Sequence, residues 1–281
     1  MPAGRDPLRI FLQVGLFVFF YLLFLLATGF LVWGFGYLAG VTLSGFLSAF
    51  GANFVAMRIY EGGQMWHIGF PWNRAAARNL GLGLAGGAGS AILVMALPLA
   101  SRAAAIVPVA SSEANLRTLL YVAVMLLFGA AGEEMLFRGY GFQILLRNFG
   151  PYATILPVGV LFAALHSTNP HASALGLVNT AGFGMIFGYA FLRSRDLWLP
   201  IGLHFAWNVT LPLFGADVSG ITIRVTGYVL QWSAGPLWSG GEYGPEASLL
   251  TSAVLFALFA FVRMAPVRRQ ENPLIDRLVE P

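Results

Sequence analysis

Three ionisable side chains, Glu133, Glu134 and Arg138, fall within six positions of the apolar run YVAVMLLFGAAGEEMLFRGYGFQILL. Charges at bilayer depth are costly, and they are rare there unless they take part in function. Helix positions four apart share a face, so Glu134 stands beside Arg138. Glu133 is turned about 100° from Glu134 and faces Arg138 less well. One carboxylate is then held in an ion pair, and the other is left for general acid or base work. The run VLFAALHSTNP puts His166 at the end of a span, with Phe162 one turn earlier on the same face. The run LWLPIGLHFAWNVTLPLF puts His204 and Asn208 four apart on one face. Each of these groups is costly in lipid unless partnered. Taken together, Glu133, Glu134, His166, His204 and Asn208 cover one hydrolytic reaction. A carboxylate or imidazole activates water, while imidazole and amide stabilise the developing oxyanion. Glu133, His166 and His204 also suit one divalent ion such as zinc, with a position left for water. A metal-free glutamate mechanism uses the same residues, and both stay open at this stage.

Other polar residues carry plainer expectations. His171 lies in a turn, and Gln64 and His67 in a polar loop that water can satisfy. Asn53 and Asn179 are expected to hydrogen-bond between helices. Tyr140, Tyr189 and Trp207 are expected to pack or to sit at an interface.

These residues need a scaffold, and composition says which kind. Hydrophobic residues make up 58% of the 281, charged residues only 10%, and mean hydropathy is +0.74. Soluble domains carry about 25% charged residues. The chain is therefore an all-α membrane protein, a polytopic bundle of about eight transmembrane helices with an intramembrane catalytic core. All 16 basic residues are arginine. They scatter along loops, so the net charge of +4 is no nucleic-acid signal and no nucleic-acid partner is expected. The absence of cysteine excludes disulfides, thiolate metal sites and a thiol nucleophile. The first apolar run is too long, and lacks the small-residue signature, for a cleavable signal peptide.

Apolar length and bounding charges place spans over 10–34, 37–57, 79–101, 117–147, 152–167, 172–192, 198–214 and 247–264. Small residues in the third span predict close helix contact. Residues 1–116 carry three spans, 117–214 the chemistry-bearing core, and 215–281 a long loop, the last span and a polar tail. An even span count puts both termini on one side with twelve arginines, Arg5, Arg9, Arg58 and Arg277 among them. Only Arg102, Arg117 and Arg224 fall opposite, which makes the termini cytoplasmic. These edges leave a tension: His204 lies near the start of its span and His166 near the far end of its own, a depth difference of roughly 15 Å.

The three motifs, EEMLFR at 133–138, FAALH at 162–166 and HFAWN at 204–208, match the EExxxR, FxxxH and HxxxN pattern in order. In this the chain resembles the CPBP family of CAAX-type prenyl endopeptidases and bacteriocin-processing, Abi-like proteins. The resemblance covers roughly 117–214. It implies an intramembrane endopeptidase in which Glu133 and His166 position and activate water. Glu134 and Arg138 support the site, with Phe162 beside it, and His204 and Asn208 stabilise the oxyanion. The implied partners are a peptide or membrane-protein substrate and the bilayer, and the setting is a bacterial cell membrane. Nothing in the chain specifies a prenylated substrate. No HExxH, GxGD or convincing GxSG motif supports another protease class. The same polar cluster also fits a proton-coupled transporter or a non-enzymatic scaffold or immunity protein. Against transport, no two-fold repeat of broken helices is visible.

Overall fold

In the computed structural model, which describes residues 6–109 and 115–276, the apolar runs become helices whose ends are set by caps, glycines and prolines. Helix α1 (Pro7–Thr28) starts where the Asp6 carboxylate accepts from the Leu8 and Arg9 amides. The expected span 10–34 is not one helix. It breaks after Thr28 and resumes as the short α2 (Leu31–Phe35). Then come α3 (Tyr37–Tyr60), α4 (Arg74–Ala100), strand β1 (Ala104–Pro108) and α5 (Leu116–Arg138). The core continues with α6 (Tyr140–Phe149), α7 (Tyr152–His166), α8 (Ala174–Ser194) and α9 (Trp198–Leu213). Strand β2 (Tyr228–Trp232), α10 (Pro236–Ser239), α11 (Leu249–Met264) and α12 (Pro273–Asp276) follow. Arg5 and Arg277 lie outside the described residues.

Among the described residues, five helical stretches are long and apolar enough to cross a membrane: Pro7–Thr28, Tyr37–Tyr60, Arg74–Ala100, Leu116–Phe149 and Ala174–Ser194. α7 and α11 are apolar but shorter, and α9 has 16 residues. The chain is a multi-pass membrane protein. Its outward apolar side chains, such as Phe11 at 71% and Leu26 at 83% exposure on α1, suit a lipid surround.

The span expected over 117–147 also divides, at Gly139. The cause is a polar stitch from α3. Asn53 donates its amide to the Met135 carbonyl (3.0 Å) and accepts from the Tyr140 amide (2.7 Å). A β-carbon at Gly139 would stand 2.1 Å from the Met135 carbonyl oxygen and 2.4 Å from Asn53 Oδ1, so only glycine fits. Asn53 thus makes the interhelical bonds expected of it and closes a helix break as well. The buried Tyr140 does more than pack: its hydroxyl accepts from the Gln13 side-chain amide of α1 at 2.9 Å, and donates to Glu61 Oε1 at 3.3 Å.

The third span does make close contact, and its partner is the His204 helix. A β-carbon at Gly83 would lie 2.4 Å from the Leu199 carbonyl oxygen, and one at Gly87 2.2 Å from that of Leu203. Backbone-to-backbone packing of this kind is how small residues hold membrane helices together. It sets α9 against α4 and turns His204 and Asn208 toward α5.

The two ends of the bundle differ. At one end β1 pairs antiparallel with β2, Ala104 opposite Trp232 and Pro108 opposite Tyr228. This two-stranded ribbon and the short helices near it give structure to the long loop expected after the seventh span. The opposite end carries the polar tail. Asn79 donates to Asp196 (2.6 Å) and to the Arg268 carbonyl (2.7 Å), and the Gln270 amide donates to the Ser194 carbonyl (2.8 Å). Burial pushes the Asp196 carboxyl above its ordinary range, and hydrogen bonds from Asn79 and the Leu199 amide oppose the shift. Arg193 caps the end of α11, donating to the Val262, Arg263 and Ala265 carbonyls.

Candidate active site

Glu134 is fully buried and is held from two sides. Arg138 Nη1 lies 3.2 Å from its carboxylate one turn along α5, and His204 Nδ1 of α9 lies 2.9 Å from Oε1. Arg138, also fully buried, donates through Nη2 to the Gly184 carbonyl of α8. Its guanidinium stands 5.7, 5.1 and 5.5 Å from the ring centres of Phe137, Phe162 and Phe187. Aromatic faces favour a desolvated cation at this range. The ion pair read from the i, i+4 spacing is therefore present, and it binds α5, α8 and α9 together.

Glu133 is placed differently. Its side chain is 40% exposed, into the cavity, and Oε2 is a buried atom with no hydrogen-bond partner. That oxygen lies 3.8 Å from His166 Nε2 and 3.8 Å from His204 Nε2. Both gaps exceed a direct hydrogen bond, and both suit a bridging water. Each imidazole spends its other nitrogen elsewhere. His166 Nδ1 is 2.8 Å from the Phe162 carbonyl, and His204 Nδ1 is bonded to Glu134. Phe162 packs at 4.6 Å from the His166 ring and 5.9 Å from the His204 ring, while Phe187 stacks on His204 at 5.1 Å.

Motifs from three separate stretches of chain thus meet at one carboxylate oxygen. The depth tension disappears because α7 is only 15 residues long. A helix of that length rises about 22 Å, short of the ~30 Å hydrocarbon core. His166 at its end therefore stops at the level of His204. Asn208, one turn beyond His204, lines the same cavity of about 290 Å³. The cavity runs from Glu133 toward the end of the bundle that carries β1 and β2, where Asn169, Ser219 and Ile221 border it. An apolar side extends between α1, α3 and α5 past Tyr21, Val41 and Leu126.

The donor types fit a divalent ion. Metal-bound histidines commit their second nitrogen to a carboxylate or carbonyl, as both do here. The spacing is looser than a closed site. Among the described residues no group of three or more His, Cys, Asp or Glu side chains is placed to hold a metal ion. His171 makes an exposed ion pair with Glu242 at 2.9 Å, apart from the cavity.

One carboxylate at the cavity has no sequence signal. Glu246, 6% exposed, sits in the loop before α11 with no motif around it. Its Oε1 accepts from Trp207 Nε1 (2.9 Å), and Oε2 accepts from the Ser219 amide and from Ser219 Oγ (2.9 Å). Trp207 therefore packs, as expected, against Phe183 at 4.6 Å, but also donates across the cavity wall. Burial, and then the charge of Glu246, raises the Tyr243 phenol above its ordinary range. Asn179 donates to the Glu246 and Ser248 carbonyls at 2.8 and 3.0 Å.

Residues 115–210 match the family model described as Type II CAAX prenyl endopeptidase Rce1-like. Over this segment, about a third of its length, the chain is similar to that family. The segment holds every residue of the converging set, from Glu133 to Asn208. A second similarity is to the uncharacterized protein YyaK of Bacillus subtilis (strain 168), 26% identical over 116 residues, which is 38% of this chain and 38% of that protein. Glu246, β2 and the polar tail lie outside the matched segment.

Proposed function

We propose that the chain is an intramembrane endopeptidase that hydrolyses a peptide bond of a membrane-associated or peptide substrate. One observation carries this reading. The Glu133 oxygen without a hydrogen bond faces two imidazole nitrogens at equal distances in a cavity of about 290 Å³.

The chemistry follows from which atoms are already engaged. With His166 Nδ1–H donating to the Phe162 carbonyl, Nε2 carries the lone pair. Glu133 Oε2 and His166 Nε2 are then two acceptors 3.8 Å apart on the cavity wall, close enough for one water in the cavity to bond both. A water held there donates both its protons and turns an oxygen lone pair outward, toward a scissile carbonyl. As it attacks, Glu133 takes one proton and later returns it to the leaving amine. His204, with a proton on both ring nitrogens, is paired to Glu134 through Nδ1 and presents Nε2–H to the tetrahedral oxyanion. The Asn208 amide supplies a second donor from one turn along α9. The charges of Glu133, Glu134, Arg138 and protonated His204 then cancel, which makes burying them together less costly. A divalent ion would instead require Glu133, His166 and His204 to draw closer than they stand here and His204 Nε2 to give up its proton, and would then supply Lewis-acid activation of the water.

Two experiments test the reading. The purified chain in detergent should cleave a library of quenched fluorescent peptides. Exhaustive chelation followed by elemental analysis then separates the two chemistries. Full activity with less than a tenth of an equivalent of metal supports the glutamate base. Loss of activity with loss of about one ion, restored by zinc, supports the metal. Absence of cleavage across the library, in detergent and in liposomes alike, would count against a peptidase.

With the arginine bias placing the termini in the cytoplasm, the cavity opens on the extracytoplasmic face. The chain has no cysteine, so a single Ile221→Cys change gives a clean reporter. A membrane-impermeant maleimide added to intact spheroplasts should label it. Labelling only after permeabilisation would invert the orientation.

A further inference from the structure

The geometry points to Glu246 as a positioning residue that ties the end of α7 and the middle of α9 to one buried carboxylate. This rests on the endopeptidase reading for its effect on turnover, though not for its effect on the two histidines.

Glu246 lies outside the three motifs and makes no hydrogen bond to Glu133, Glu134, His166, His204 or Asn208. It nevertheless accepts three hydrogen bonds, from Trp207 Nε1, the Ser219 amide and Ser219 Oγ. Trp207 directly precedes Asn208 on α9. Ser219 is the link to α7: its carbonyl accepts from Asn169 Nδ2 at 3.2 Å. The Asn169 amide in turn donates to the His166 carbonyl at 3.1 Å. A chain of bonds therefore runs from His166 through Asn169, Ser219 and Glu246 to Trp207. It crosses from one wall of the cavity to the other.

The backbone around Ser219 is committed to this arrangement. Ser219 has φ of +49°, a left-handed conformation that a serine seldom adopts without outside support. The Gly220 amide donates to the Tyr243 carbonyl at 2.8 Å, and a β-carbon at Gly220 would stand 1.9 Å from the Pro170 carbonyl oxygen. The loop is thus pressed against the turn that follows α7. All three groups aimed at Glu246 are donors in the structure, and a carboxylate offers acceptors on both oxygens. A glutamine offers one acceptor and one donor. It cannot satisfy Trp207 Nε1–H and the Ser219 N–H together, although its shape is unchanged. Loosening the knot frees α7 and α9 to drift by a fraction of an ångström, and small misplacements are enough to slow an oriented reaction.

Glu246→Gln is the variant that reads charge and acceptor count without removing volume. Its turnover on a quenched peptide cleaved by the intact protein should fall at least tenfold in kcat, with KM changed less than threefold. Histidine-selective ¹⁵N labelling gives a second readout that needs no activity, since the chain has only four histidines. The His166 and His204 ring signals should shift in Glu246→Gln, while His67, at the far end of the bundle, should not. Ser219→Ala, which removes one of the three donors and keeps the backbone, should give a smaller change in the same direction. It also serves as the test where Glu246→Gln does not fold. Unmoved His166 and His204 signals, or wild-type kcat in a folded Glu246→Gln, would overturn the proposal. If no form cleaves peptide, the endopeptidase reading fails and the ring signals alone decide whether Glu246 positions the two walls.

Discussion

Glu133→Gln is expected to lower kcat for peptide cleavage by a factor of about 10²–10⁴, the range of a lost general base. The change keeps the shape of the side chain and removes the charge and the second acceptor. Stability should hardly move. The Glu133 side chain is 40% exposed in the cavity, and its Oε2 makes no hydrogen bond that the variant would lose. Exposed substitutions away from such features stay within about 0.5 kcal/mol. Loss of activity with an unchanged melting midpoint is the signature of a group that acts on the reacting atoms. Retained turnover would remove Glu133 from that role and leave His166 as the base. The same variant, incubated with isolated membranes, should accumulate the natural substrate uncleaved.

Much of this site is legible in the sequence, because ionisable residues stand out against an apolar background. The i, i+4 spacing alone pairs Glu134 with Arg138 and leaves Glu133 unengaged, and both features are present. What the spacing cannot give is the tertiary partner: that His204 Nδ1 also binds Glu134 depends on how α9 lies on α4. Apolar length places His166 at the far side of the bilayer only if its helix crosses fully, and α7, at 15 residues, does not. The breaks after Thr28 and at Gly139 were hidden for a related reason. A glycine in an apolar run looks tolerable, and at Gly139 it takes a distant Asn53 to supply bonds for the freed backbone. Glu246 was invisible for the opposite reason. A glutamate in a Gly- and Pro-rich loop reads as solvated, and only folding of that loop over the bundle buries it.

Arg138→Ala should act on stability first, by roughly 3–5 kcal/mol, the cost of stranding one member of a buried ion pair. Glu134 would keep its bond to His204 but lose the cation that offsets its charge. The Gly184 carbonyl would lose its donor, and Phe137, Phe162 and Phe187 would face a void. With about 2–4 °C lost per kcal/mol in chains of 150–250 residues, the melting midpoint in detergent should fall on the order of 10 °C. Arg138→Lys should recover little, because an ammonium cannot fork between a carboxylate and a carbonyl while stacking on three rings. The double variant Glu134→Gln with Arg138→Met separates stability from chemistry. Replacing a buried pair by neutral side chains of similar volume is often neutral or stabilising. Its midpoint should therefore rise well above that of Arg138→Ala. Its activity should not return, since a glutamine at 134 no longer pairs with a protonated His204. If the double variant melts no higher than Arg138→Ala, the cost lies in lost packing among the three phenylalanines rather than in the stranded carboxylate.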